Sequence, residues 1–223
     1  HPVAKDKIHV IPHGYEPLEK LPPQSQNVGQ RPMEAIHAGS FIPDTREPDV
    51  LFQGLALLNK RMPLKGLLKL TCVGADTTRY QAMADALGVS EFVSLRDSIP
   101  YQECQDMVAN SDLMLVLDTP GQGGIYLPTK LIEYLPFHKP VLGVAEQGSA
   151  VHRVLEHCAL HYADQHSAED IANVFEGLLK QWQSGIWGVS DLTRERVLDY
   201  RIDKVNEKLH ELLTQLSQSL TTA

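Results

Sequence analysis

The chain has 223 residues, 43% hydrophobic and 22% charged, the composition of a soluble globular protein able to bury a full core. A formal net charge of −8 argues against the clustered Lys and Arg of general nucleic-acid binding, so an anionic ligand would need a local site. No apolar run approaches the roughly 20 residues of a membrane span, a peripheral membrane role stays open, and three cysteines without metal-ligand spacing fit a reducing, cytosolic compartment.

In chain order, Ile8–Ile11 reads as a first short strand, and the polar, proline-rich run Leu18 to Pro32 as a surface loop. Strands are then expected at Met33–Ala38, Leu67–Val73, Glu91–Leu95, Leu113–Leu117, Pro140–Val144 and, more weakly, Ala159–Tyr162. Helices are expected between them at Pro48–Arg61, Thr78–Leu87, Tyr101–Asn110, Pro128–Leu135, Ala150–His157 and Ala168–Gln183. This alternation predicts an α/β fold, a Rossmann-like three-layer sandwich on a mainly parallel sheet. Near the end, Val197, Ile202, Val205, Leu209, Leu212, Leu213 and Leu216 keep helical spacing, which predicts one or two amphipathic helices. Residues 1–192 therefore read as one domain, and 193–223 as a helical extension packing on it or on a domain outside this chain.

Ligands of open parallel sheets sit beyond the carboxyl ends of the strands, so polar residues directly after each strand are the candidates. In "GSFIPDTREP", Gly39 permits a tight exit, Ser40 offers a hydroxyl, and the planar fork of Arg46 suits a phosphate, or else pairs with Asp44 or Glu47. In "GADTTRY", Asp76 or Thr77 reads as a helix cap. In "LRDSIPYQE", Arg96 and Asp97 stand where backbone groups could read a flat base, or form a plain turn.

The stretch "GQGGIYLPTKLIEYLPFHKP" (Gly121 to Pro140) is a glycine-rich loop entering a helix. Gly124, Ile125, Tyr126 and Leu127 lead into Pro128, whose missing N–H costs nothing in a first turn. Thr129 offers a hydroxyl to an anion, and Lys130 matches phosphate charge at the positive end of the helix. Glu133, three residues on, could accept hydrogen bonds from a sugar diol, or form an exposed pair with Lys130 worth a few tenths of a kcal/mol. Other chemistries lack their residues. His152, His157, His161 and His166 have no HExxH arrangement, Lys130 follows a Pro-Thr step rather than the glycine of a phosphate loop, and GxGxxG and GxSxG are absent.

The ordered set "KIHVIPHGYE", "AIHAGSFIPDTREPDVLFQGLALL", "LTCVGAD", "VSLRDSIPYQECQDMVANSDLMLVL" and "LPTKLIEYLPFHKPVLGVAEQGS", spanning about Lys7 to Ser149, resembles the donor-binding C-terminal half of GT-B glycosyltransferases of the large family-4 type. That family includes branches acting in bacterial polysaccharide assembly. The resemblance implies that residues 1–192 bind a nucleoside-diphosphate sugar as substrate, with no cofactor. It places Glu133 on the ribose, Gly124 to Lys130 on the diphosphate and sugar, Leu95 to Asp97 around the base, and Arg46 and Lys130 as catalytic groups. It further implies retaining, metal-independent transfer to an acceptor sugar or lipid-linked saccharide, in the cytoplasm or at the inner face of the membrane. The missing DxD-like acidic pair agrees, although Asp118 could act with distant partners.

Two positions depart from the pattern. Many relatives carry two glutamates flanking seven residues, and counting back from Glu133 places Ile125 at the first; the loop instead looks like a branch in which Lys130 compensates electrostatically. Ser40 stands where an arginine is common. Complete relatives also carry an N-terminal acceptor domain of comparable size, so this chain, which opens "HPVAK", is expected to be a donor half that transfers poorly alone. The loss at Ile125 favours an alternative, a non-catalytic nucleotide-sugar-binding or accessory subunit. A GT-B epimerase fits less well, because its site needs several carboxylates from both halves.

Overall fold

The computed structural model describes residues 8–119 and 124–221. Among them, the apolar runs form six strands: β1 (Met33–Ala38), β2 (Leu68–Val73), β3 (Val93–Arg96), β4 (Leu113–Leu117), β5 (Val141–Ala145) and β6 (His161–Asp164). All pair in parallel, in the order β3-β2-β1-β4-β5-β6. Every residue of β4 and β5 is buried, as a parallel sheet covered on both faces requires.

The covering helices are α1 (Asp49–Arg61), α2 (Thr77–Ala86), α3 (Tyr101–Asn110), α4 (Thr129–Tyr134), α5 (Ala150–His157) and α6 (Ala168–Gln183). Strand alternation divides the core in two. Met33, Ala35, Leu70 and Leu115 pack under α1, α2 and α6, whereas Ile36, Ala38, Met114 and Val116 pack under α3, α4 and α5. The result is the expected three-layer α/β sandwich, with the strand order of dinucleotide-binding folds.

The C-terminal segment forms α7 (Asp191–Arg196), a 3-10 turn (Val197–Tyr200) and α8 (Ile202–Thr221). Thr193, Val197 and Val205 are buried, and Val197 joins the α3–α5 core. Further along α8, Leu209, Leu213 and Leu216 are exposed.

Two sequence expectations need correction. Ile8–Ile11 is not a strand: Ile8 and Val10 face water, and the first pairing comes at Tyr15, whose N–H donates to Tyr200 O and whose carbonyl accepts from Ile202 N. A short apolar run becomes a strand only where a ladder receives it, and Pro12 brings no donor to one. The last strand begins at His161 rather than Ala159, because Ala159 takes the left-handed φ of 52° and Leu160 N still donates to Leu155 O in the turn ending α5.

The amino edge of the sheet is fastened by Asp112. Its buried carboxylate accepts from Arg31 Nη1 (2.7 Å), Arg31 Nη2 (2.8 Å) and Glu34 N (2.8 Å). Arg31 lies over the Trp182 ring, Trp182 Nε1 donates to Arg31 O, and Trp187 Nε1 donates to Asp112 O. Asp112 thus ties the end of the Leu18 to Pro32 loop to β1 through its carboxylate, and the region after α6 to the start of β4 through its carbonyl. Asp112→Ala leaves a one-third-exposed guanidinium without its partner. The expected loss is about 2–3 kcal/mol, measured by urea unfolding.

Candidate functional site

β1 and β4 are neighbours, yet the chain leaves β1 toward α1 on one face and β4 toward α4 on the other. Such a divergence opens a crevice at the carboxyl ends of the strands. Gly39 forms its floor, its N–H donating to Val73 O at 2.8 Å. Lys130 reaches over it from α4: a Cβ added to Gly39 would lie 1.8 Å from Nζ, so the ammonium occupies space that only glycine leaves free.

Arg46 arrives from the other side. Ile42 N donates to Arg46 O and Arg46 N to Ile42 O, each at 2.8 Å, closing a tight turn in which Asp44 takes a φ of 58°. The turn folds Arg46 back on the β1 exit, where Nη2 donates to Ser40 O at 3.0 Å and Nε is buried without a partner among the described residues. Ser40 itself is exposed.

The electrostatics of this pair are unfavourable in the free protein. Burial first, then the charge of Arg46, pull the Lys130 pKa down to about 8 against the opposite pull of Cys104 and Glu133. Glu133 acts through space, without a hydrogen bond to Lys130, and its side chain is exposed. Two half-buried cations facing one crevice are relieved when an anion enters it. Their positive charge comes from side chains, since α4, at six residues, is shorter than the expected Pro128–Leu135 helix.

The loop before α4 is pinned at its end. Gly124 takes a φ of 67°, its carbonyl accepts from Ala150 N at 2.6 Å, and Ser149 caps α5 by accepting from His152 N. The expected glycine cradle at Gly121 to Gly123 lies outside the described residues. Ile125 and Tyr126 are exposed, Leu127 packs partly on the α3–α5 core, Pro128 is buried, and Thr129 is exposed. Ile125, at 81% exposure, presents an apolar side chain where the resemblance places a carboxylate.

Arg96 and Asp97 lie beyond β2, at the end of β3. Arg96 pairs with Glu103 at 3.0 Å and touches Met107 Sδ, and its carbonyl accepts from Gly74 N and Ala75 N. Asp97 accepts from Thr77 Oγ1 at 3.0 Å, while Asp76 caps α2. These side chains are not gathered with Lys130. Beside Arg46, a cleft of about 310 Å³ runs from the Asp44 to Leu51 segment to Asp118, Val144 and Gln165 at the ends of β4, β5 and β6. Among the described residues no group of three or more His, Cys, Asp or Glu could hold a metal ion.

Three residues of the site were not singled out in the sequence. Tyr134 Oη accepts from Ala38 N at 3.3 Å, tying α4 to the end of β1. Cys104, half-buried on α3, lies within the field of Lys130. His37 is buried two residues before Gly39, with burial and then the Lys130 charge holding its pKa down to about 3, so the ring is neutral. The available signal was an imidazole on the buried face of β1, in register with Met33 and Ala35 and on the face that Gly39 continues.

No protein-family model matches the chain, and no curated protein matches it in sequence. Solved structures match its fold. The lipopolysaccharide outer core galactosyltransferase WaaB superposes with a TM-score of 0.67 at 18% identity, covering 96% of this chain and 57% of that one. WaaG, a glycosyltransferase involved in lipopolysaccharide biosynthesis, gives 0.65 at 20%, covering 95% and 57%. The catalytic domain of the cholesterol-α-glucosyltransferase from Helicobacter pylori gives 0.54 at 13%, covering 79% and 99%. The chain thus has the fold of a GT-B glycosyltransferase domain and spans 57% of the length of WaaB and of WaaG.

Gly39→Ala is expected to push the Lys130 ammonium toward water. With burial relieved, its titration should move up from about 8 toward the ordinary lysine value of 10.5, followed by NMR of the labelled lysine side chain. Because the clash is with the movable end of a lysine, stability should change by less than about 1 kcal/mol.

Proposed function

We propose that this chain is the donor-binding domain of a glycosyltransferase that moves a sugar from a nucleoside-diphosphate sugar to an acceptor in polysaccharide or glycoconjugate synthesis. The observation that carries this reading is the convergence of Lys130, over Gly39, and Arg46, on Ser40 O, at the exit of β1, two cations without a carboxylate hydrogen bond among the described residues. A diphosphate suits them in charge and in its row of acceptor oxygens. Glu133, exposed on the same helix as Lys130, supplies acceptors for a ribose diol.

In the transfer step the bond from the anomeric carbon to the diphosphate oxygen breaks, and negative charge grows on the departing phosphate. Lys130 and Arg46 stabilise that charge more strongly than the ground state, which is the electrostatic component of catalysis. We take the transfer to be retaining and metal-independent on the family resemblance. The acceptor, a sugar or lipid-linked saccharide, is held by an N-terminal domain of comparable size. The 57% coverage of WaaB and WaaG supports this division, since much of each of those proteins lies outside the match. Among the described residues no helix is long and apolar enough to cross a membrane; with a lipid-linked acceptor, the full-length protein would work in the cytoplasm, peripheral to the inner face of the membrane. The isolated chain is expected to bind donor and to transfer poorly.

Calorimetric titration with UDP-, GDP- and ADP-sugars tests this. One series should bind. Lys130→Ala should weaken it about 10- to 100-fold, the value of a charge-assisted contact, and Glu133→Ala about tenfold. Both phosphates of a nucleotide sugar are esterified and stay fully charged across neutral pH, so loss of affinity as pH rises through about 8 reports Lys130 losing its proton. Absence of binding by every nucleotide, or binding indifferent to both substitutions, overturns the reading.

A further inference from the structure

We propose that His37 is the positioning residue for Lys130: its neutral imidazole, fixed at the end of β1, offers the Nε2 lone pair to the Lys130 ammonium and aims that ammonium over Gly39 into the crevice. The bearing on catalysis rests on the donor-site reading; the contact itself does not.

The ring is immobilised from two sides. His37 Nδ1 lies 3.1 Å from Leu115 O, across the β1–β4 pair. The imidazole also stacks on Phe41, with centroids 5.2 Å apart and planes within 2°, and Phe41 is held edge-on by Phe52 and Tyr80. A carbonyl only accepts, so Nδ1 carries the hydrogen and Nε2 of the neutral ring is a bare acceptor.

Nε2 is buried with no hydrogen-bond partner of good geometry among the described residues, although the Gly39 backbone lies near enough to the ring to favour its protonation. A buried acceptor left unpaired costs about 1–3 kcal/mol, so a donor is called for. The point where a Cβ on Gly39 would stand is 3.6 Å from His37 Nε2 and 1.8 Å from Lys130 Nζ, so both nitrogens border the space that a side chain there would fill. The other groups facing Lys130 are unsuited to Nε2. Arg46 Nη2 donates to Ser40 O and its Nε is a further buried donor, but it is Lys130 Nζ that shares with His37 Nε2 the space above Gly39; Glu133 on α4 only accepts, and Cys104 on α3 is a weak donor. Lys130 carries three N–H donors and has no hydrogen bond to protein among the described residues. A small rotation of its terminal bonds turns one donor onto Nε2, leaving the other two for phosphate oxygens. The arrangement is reciprocal: the charges of Lys130 and Arg46 oppose a second proton on His37, which keeps the lone pair available.

Two substitutions and one measurement on the unaltered chain test the contact. His37→Phe keeps a ring to stack on Phe41 but removes the acceptor, whereas His37→Gln restores an acceptor oxygen. In the ligand-free chain, His37→Phe should lower the Lys130 NMR titration midpoint by about one pH unit, and His37→Gln should return it to the wild-type value. UDP affinity at pH 7.5 should fall about fivefold in the Phe variant and recover in the Gln variant. In the wild-type chain, imidazole ¹⁵N shifts should show a protonated Nδ1 and a bare Nε2, the latter moving as Lys130 titrates. A folded Phe variant with an unmoved or raised Lys130 midpoint overturns the proposal, as does a wild-type Nε2 that carries a proton or ignores Lys130. A merely structural His37 would lower stability in both variants and leave the Lys130 titration in place. If the coupling is found but none of UDP, GDP and ADP binds, the donor-site reading falls and the His37–Lys130 contact stands.

Discussion

The site depends on one topological constraint: β1 and β4 lie side by side while the chain segments leaving them turn to opposite faces of the sheet. The two segments cannot cover the strand ends between them, which leaves the crevice. It also means that side chains enter from both layers. Arg46 comes from the segment leading to α1 and Lys130 from α4, and neither could reach the floor had the two segments shared a face. Gly39 completes the constraint, because any larger residue at the β1 exit would fill the space that the Lys130 ammonium occupies.

The two edges of the sheet are organised on opposite principles. At the amino edge, Asp112 is fully committed, with its carboxylate taken by Arg31 and Glu34 N and its carbonyl by Trp187. At the carboxyl edge, Arg46 Nε and His37 Nε2 are buried without partners among the described residues, and Lys130 is half-buried beside a like charge. Satisfied polar groups define a fold, whereas unsatisfied ones concentrated in a crevice define where a ligand would lower the free energy. The second condition is tolerable because the first holds the sheet together about one strand length away.

The sequence conveyed the fold well because parallel strands buried on both faces read as short, nearly continuous apolar runs separated by helical periods. β1 and β4 were legible to the residue. Ile8–Ile11 was misread because apolarity does not say whether a neighbouring strand exists. At the crevice, the position of Lys130 was legible since a glycine-rich loop and a helix start share one stretch of sequence. The placement of Arg46 could not be read, because it depends on the Ile42–Arg46 hydrogen bonds and on Asp44 adopting a left-handed conformation. His37 was hidden for a related reason: a histidine in an apolar strand acquires meaning only when Leu115, from a strand 76 positions or more downstream in sequence, fixes which nitrogen bears the hydrogen.

The overall charge and the local charge pull in different directions, and distance decides between them. A chain of net charge −8 repels an incoming diphosphate at long range. That repulsion is screened over a Debye length of about 8–10 Å at physiological salt, whereas contacts made by Lys130 and Arg46 inside the crevice are short and only partly screened. Ile125 contributes to this balance. A carboxylate at that position would place another negative charge on the loop leading to Lys130, while with the exposed isoleucine Glu133 is the carboxylate that acts on the Lys130 charge. Replacing acid by hydrocarbon there removes acceptors for sugar hydroxyls and leaves the two cations less neutralised. Under the proposed donor-site reading, the crevice is therefore better suited to gripping a diphosphate than to reading the sugar attached to it, and sugar recognition would draw on other groups around the cleft.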